Sequence, residues 1–371
     1  MRTETTPRQP NIRDLTVSPQ RLSSRFLWLF SLATVWMVGG LQLDGYYHAT
    51  APATETFFTS WHLIMYLGIF ATIGVVTYKV HSEWDSDATS LRDAIPNGLF
   101  PAVVGIAVIA VSGAIDSVWH IVFGIEQDLE ILVSPSHLGI FSGMALVSLT
   151  PMLALDRHAQ NLRTSDRVLV VASASLALSI VLLSTLHATV LNGLNLGPEP
   201  GVENFYLSSL ELFHGFIVPS AFFVIPAVWL HNRYSISPLA QAGLAAFPAL
   251  AIWAVMSGGE HPVVIVLPPV AAFVAAVLLK KLRGVIRVDA ISGAVLGGLF
   301  PAVLWALYFV AAGLSNVPRT WNAHFLSGVY VGGIFVGAVT GACTVLIGQG
   351  LRVQSQSLRD EAQLAAVNDG R

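Results

Sequence analysis

The chain has 371 residues, of which 54% are hydrophobic and only 11% are Asp, Glu, Lys or Arg, where a soluble globular domain carries about a quarter charged. With a mean hydropathy of +0.66 it is too apolar for a water-soluble fold, so the bilayer is the expected solvent. The single cysteine, Cys343, excludes an intrachain disulfide and any thiolate cluster, and the net charge of −3 says little until its distribution is read.

Apolar runs of spanning length, about 20 residues each, predict ten helices: 26–48, 57–80, 97–122, 136–155, 167–191, 206–230, 239–257, 262–280, 291–313 and 324–348. The expected fold is all-α, a polytopic membrane bundle of about ten helices built from repeated hairpins. Residues 1–25 read as a disordered cytoplasmic tail, 26–348 as the membrane domain and 349–371 as a second cytoplasmic tail. Ala49-Thr50-Ala51 has the look of a signal-peptidase site, but Pro52 follows it and the preceding apolar run is long for a signal sequence. The first helix is therefore expected to be retained.

Lysine and arginine set the expected orientation. Alternation through ten helices puts 18 of the 19 on one side, from Arg2 through Arg92 and Arg287 to Arg371, and leaves only Arg319 opposite. By the positive-inside rule the basic side is cytoplasmic, with both termini there and the chain a multi-pass protein of the cell membrane.

The ionisable groups sort the other way. Eight of the eleven histidines fall on the outer side: His48, His62, His120, His137, His187, His214, His261 and His324. Asp44, Asp116, Glu211 and Glu260 join them, each inside or at the rim of a predicted span. A charge in hydrocarbon costs several kcal/mol unless paired, so such groups are functional candidates.

A repeat sharpens the pattern. Hairpin one reads Asp44-Gly45-Tyr46-Tyr47-His48, then Thr59-Ser60-Trp61-His62; hairpin two reads Asp116-Ser117-Val118-Trp119-His120, then Ser134-Pro135-Ser136-His137. The i,i+4 spacing puts Asp and His on one helical face, and the short connection returns a third residue to the same depth. Asp44 and Asp116 lie in the last turns of their helices, where the dipole disfavours an anion. His62 and His137 open theirs, where neutral, metal-ligating imidazole is favoured. A cation held by Asp44, His48 and His62, and another by Asp116, His120 and His137, would offset both carboxylates; buried Asp–His pairs are the competing reading.

The remaining hairpins read as diverged relatives. Gly98-Leu99-Phe100-Pro101 recurs as Gly298-Leu299-Phe300-Pro301, and at that offset Asn316 meets Asp116 and Thr320 meets His120, with His324 standing in for the second-helix histidine. His187, Glu211, His214, Glu260, His261 and His324 are read as groups that line a pocket or orient ligands.

The motif resembles that of the C subunit of the copper membrane monooxygenases, the particulate methane and ammonia monooxygenase family, in which a D-x3-H is followed by a third His opening the next helix. Ser134-Pro135-Ser136-His137-Leu138-Gly139 looks much like that segment. The resemblance implies that Asp116, His120 and His137 are copper ligands, and Asp44, His48 and His62 a second, looser copy. It covers roughly 40 residues per copy, and the other two subunits of such an enzyme are not in this chain.

Imidazole with carboxylate suits copper, zinc or iron, and the resemblance selects copper. Three readings stay open: a copper oxidase or monooxygenase of a small apolar substrate, a metal permease or metalloenzyme assembly factor, and a membrane haem protein passing electrons. The bilayer, partner subunits and an electron donor are the expected partners; nucleic acid is not.

Overall fold

The computed structural model describes residues 22–50, 59–124, 130–156, 159–197, 205–256, 261–282, 285–286 and 289–369. In chain order its helices are α1 Ser24–Thr50, α2 Ser60–Ser82, α3 Leu91–Ala94, α4 Phe100–Phe123, α5 Glu130–Val133, α6 Pro135–Asp156, α7 Thr164–Ser184, α8 Phe205–Tyr234, α9 Pro238–Met256, α10 Leu267–Leu282, α11 Asp289–Leu314 and α12 Ala323–Asp369. All but the four-residue α3 and α5 are apolar and long enough to cross a membrane, with α10 counted from the 3-10 turn Pro262–Ile265 that leads into it. Among the described residues there is no strand, only one bridge between Leu196 and Arg319.

The ten predicted spans are present, with two differences. α12 runs to Asp369, so most of the segment read as a tail is helical; of the N-terminal tail, residues 1–21 lie outside the described residues. The fifth span, expected through residue 191, ends at Ser184. Beyond it a 3-10 turn, Leu186–Ala188, leads into an irregular segment that stays buried at Val190, Leu191, Leu194 and Leu196.

That segment is apolar enough to read as helix, but its backbone is satisfied otherwise. Val190 N donates to Gly215 O of α8 at 3.2 Å. Asn195 N donates to the Tyr308 hydroxyl at 2.6 Å, and the same hydroxyl reaches Val190 O at 3.2 Å. Non-helical backbone at membrane depth is tolerated where protein surrounds it, and here α8 and α11 do so.

α1 is the central element, packing on α2, α6, α7 and α9; α4 pairs with α6, and α8 packs chiefly on α11 and α12. Hairpins one and two share one packing device. A Cβ on Gly68 would lie 2.6 Å from Met37 Cα, and one on Gly143 would lie 2.7 Å from Gly105 O and from Ile109 Cγ1. Met37 and Ile109 each precede their aspartate by seven residues, and each glycine follows its second-helix histidine by six. The repeat is therefore one of helix crossing as well as motif. At the basic ends of α6 and α8, Arg233 grips Asp156 through Nε (2.6 Å) and Nη2 (2.8 Å).

The orientation is open to test by reporter fusions. Fusions after Arg92 and Arg287 are expected to report the cytoplasm, and those after Glu130 and Glu199 the opposite side. One reversed reporter breaks the ten-span topology.

Candidate metal centres

Each triad is assembled by one helix end and the following helix start. In α1 the i,i+4 spacing sets Asp44 Oδ2 3.5 Å from His48 Nε2. α2 is capped by Thr59, whose hydroxyl accepts from the His62 backbone N–H and lies 2.7 Å from His62 Nδ1. The cap thus turns the ring so that Nε2 faces Asp44 Oδ1 at 3.1 Å and His48 Nε2 at 3.2 Å. Tyr47 and Trp61 stack beside it with centroids 4.3 Å apart, joining the two helix ends.

Hairpin two repeats the design. Asp116 Oδ2 lies 3.3 Å from His120 Nε2, and Asp116 Oδ1 lies 3.6 Å from His137 Nε2. Ser134 takes the place of Thr59, accepting from His137 N at 3.4 Å with its hydroxyl 2.9 Å from His137 Nδ1. α4 ends at Gly124, whose φ of 88° is a conformation that only glycine adopts cheaply. Its carbonyl lies 3.3 Å from His120 Nδ1.

A carbonyl only accepts, so this contact makes Nδ1 the protonated nitrogen of His120. In the neutral ring, Nε2 then carries a lone pair 3.3 Å from a carboxylate oxygen, two acceptors at close range. A cation between them resolves the conflict.

The spacings fit a metal ion. Donors bonded at about 2.0 Å in a tetrahedral shell stand about 3.3 Å apart. The carboxylate–imidazole separations run from 3.1 to 3.6 Å, His48 and His62 Nε2 are 3.2 Å apart, and the donor atoms of each triad all lie within 4.8 Å of one another. Asp44 and Asp116 are each only 7% exposed, and Oδ1 of each is buried without a hydrogen-bond partner, although a histidine Nε2 lies near both. At Oδ1 the His62 and His137 rings thus sit at ion-pair distance but outside hydrogen-bond geometry. A buried orphan acceptor costs about 1–3 kcal/mol, more when charged, which a bound cation removes. Among the described residues these two are the groups of three or more donors able to hold an ion.

Comparison of the chain with protein-family models, with curated proteins and with solved structures finds no match. The chemistry therefore rests on the two triads themselves.

The triads are neighbours that differ. α1 packs on α6 and α2 touches α4, and the Tyr66 hydroxyl is within electrostatic reach of both Asp44 and Asp116. Tyr66 stacks on His62 at 6.0 Å; Phe141 occupies the equivalent place on His137 at 6.1 Å. Hairpin one, the looser copy in motif, is the more compact in geometry: its histidine rings are 5.2 Å apart, against 6.1 Å in hairpin two.

The other candidates are not brought into either triad. His187, Glu211, His214 and His324 are exposed, and His261 is half-buried in a left-handed conformation with φ 47°; Glu260 lies outside the described residues. The hairpin of α11 and α12, which carries the recurring Gly-Leu-Phe-Pro segment, is out of phase. Pro101 lies in the first turn of α4, whereas Pro301 is inside α11. Asn316 and Thr320 fall beyond the end of α11 at Leu314, whereas Asp116 and His120 lie inside α4, and no ligand set forms there among the described residues. Sequence reasoning missed Thr59, Ser134 and Gly124. The first two were signalled by a Ser/Thr-x-x-His spacing, a capping box with imidazole in place of the usual Glu.

Proposed function

We propose that the chain is a membrane metalloprotein in which Asp116, His120 and His137 hold one transition-metal ion and Asp44, His48 and His62 a second, with copper the expected metal. The observation that carries this reading is the convergence, twice, of two imidazoles on a buried carboxylate whose oxygen has no hydrogen-bond donor. Three protein donors leave coordination positions open, as catalytic sites do and structural sites do not.

The chemistry that best fits is oxidation of a small apolar molecule entering from the bilayer, with dioxygen as the oxidant and an external donor supplying the electrons, for which bound copper would supply one-electron redox capacity. The chain's own part is to orient and shield. Thr59 and Ser134 fix two imidazoles, Gly124 a third, and the exposed apolar side chains of Ile115, Val118 and Leu138 flank the second triad on its lipid side.

Permeation is less well supported, because α4 and α6 close tightly below the second triad, with Ile109, Met144 and Val147 buried there. Axial haem ligation needs two Nε2 atoms on opposite sides of iron, about 4 Å apart at bond lengths near 2 Å. The 3.2 Å separation of His48 and His62 is too short for that.

Elemental analysis of the detergent-purified protein tests the reading. Two metal ions per chain are expected, falling to about one in His120→Ala or His137→Ala, with no haem absorption band. Metal content unchanged in both variants would mean that these are not the ligands.

A further inference from the structure

On the basic side, away from both triads, a groove of about 780 Å³ runs between α7 and α9 with Val35 of α1 at its back. Its two ends differ. Along α7 the lining extends from Thr164 to Leu176, a rise of about 18 Å at 1.5 Å per residue, close to the depth of one leaflet of a hydrocarbon core about 30 Å thick. The deep part is apolar, walled by Val171, Ala172, Leu176 and Phe247. Its one polar side chain, Ser175, is already engaged, donating to Leu244 O at 2.9 Å.

The shallow end is cationic. Arg167 lies there, exposed, and no carboxylate pairs with it among the described residues. The neighbouring Asp166 is turned inward, fully buried, accepting from Arg163 N at 3.0 Å. α7 and α9 both begin at this end. The Asp166 carboxylate closes the start of α7, whereas α9 is capped only by the neutral Ser237 hydroxyl on Ala240 N, so the rim's positive character comes from Arg167 and the start of α9. Most of the chain's Lys and Arg lie on this side as well.

A guanidinium with no carboxylate partner among the described residues, above an apolar trough one leaflet deep, is complementary to an amphiphile with an anionic head. We propose that this groove binds an anionic phospholipid of the basic-side leaflet, its phosphate at Arg167 and the start of α9, one acyl chain lying against α7, α9 and Val35. The site is independent of the metal reading and lies at the opposite end of the bundle.

Two substitutions separate head from tail. Arg167→Ala removes the anion contact. Gly243→Leu fills the trough without disturbing the core, because a Cβ at Gly243 would meet only Val171 Cγ1, at 3.9 Å. In nanodiscs, replacing part of the phosphatidylcholine by phosphatidylglycerol is expected to raise the unfolding temperature of the wild-type protein by several degrees. Both variants should lose most of that rise, while Arg167→Lys keeps it and glycerol 3-phosphate, which has no chains, fails to reproduce it. Native mass spectrometry should show phosphatidylglycerol retained by the wild type and lost from Arg167→Ala, a readout that stands even if Gly243→Leu folds poorly. An equal rise in wild type and both variants would overturn the site. So would a crosslink from the groove to residues 1–21 of the same chain, which would make that segment the occupant.

Discussion

Replacing Asp116 by asparagine is expected to weaken metal binding at the second triad by more than about a hundredfold, the upper range seen when only a ligand's orienting partner is removed. The same change should leave the metal-free protein as stable as the parent or more so. The two effects have one cause. Without an ion, Asp116 is a carboxylate 7% exposed, with Oδ1 unpartnered, near the negative end of α4. An amide of the same shape relieves that by roughly 1–3 kcal/mol. If Asp116 instead formed a resting ion pair with protonated His120 or His137, asparagine would strand a buried cation and destabilise the fold. Calorimetric metal titration, with thermal unfolding in chelator, reads both quantities. A variant that binds metal normally, or unfolds several degrees earlier without it, defeats the metal-site account of this aspartate.

Gly68→Val is expected to separate hairpin one and to abolish its metal site while sparing the other. The added Cβ would lie 2.6 Å from both Met37 Cα and Met37 N, and neither backbone atom can yield unless the helices part. Overpacking that side chains can absorb costs about 1–3 kcal/mol; a backbone clash exceeds it. Parting α1 from α2 carries His62 away from Asp44 and His48. Gly74→Val is the control, since a Cβ there meets nothing within 4 Å. Metal content should fall from two ions to one in Gly68→Val and stay at two in Gly74→Val. Equal metal content and equal unfolding temperatures in the two variants would refute the assigned crossing.

The ten spans were legible because each is an apolar run of bilayer length, and both triads because i,i+4 spacing fixes which side chains share a helical face. What escaped the sequence depended on partners remote in the chain. Leu186, Val190, Leu191, Leu194 and Leu196 are as apolar as a helix would be, and only Tyr308, 113 residues beyond Asn195, explains why the chain is not helical there. The Gly-Leu-Phe-Pro segment misled for a related reason. It is the same four residues at the start of α4 and in the middle of α11, and α11 is fixed by its own start at Asp289. Burial was the other blind spot. Glu211 and His214 share a face of α8 by spacing, yet that face is exposed on a helix that packs chiefly with α11 and α12.

The clamped segment after α7 has a consequence for how this protein exchanges hydrogen with solvent. Connecting segments ordinarily exchange fast, because their amides are open to water or held by frayed bonds. Here the Val190 amide is tied to Gly215 O, Asn195 to Tyr308, Gly197 to the Asn195 side chain and Trp321 back to Leu196 O. These amides should exchange as slowly as those of the helices around them. They should also be released together when Tyr308→Phe removes the hydroxyl that holds the segment from both sides. The connection after the fifth span thereby belongs to the slow-exchanging core of the bundle rather than to its periphery.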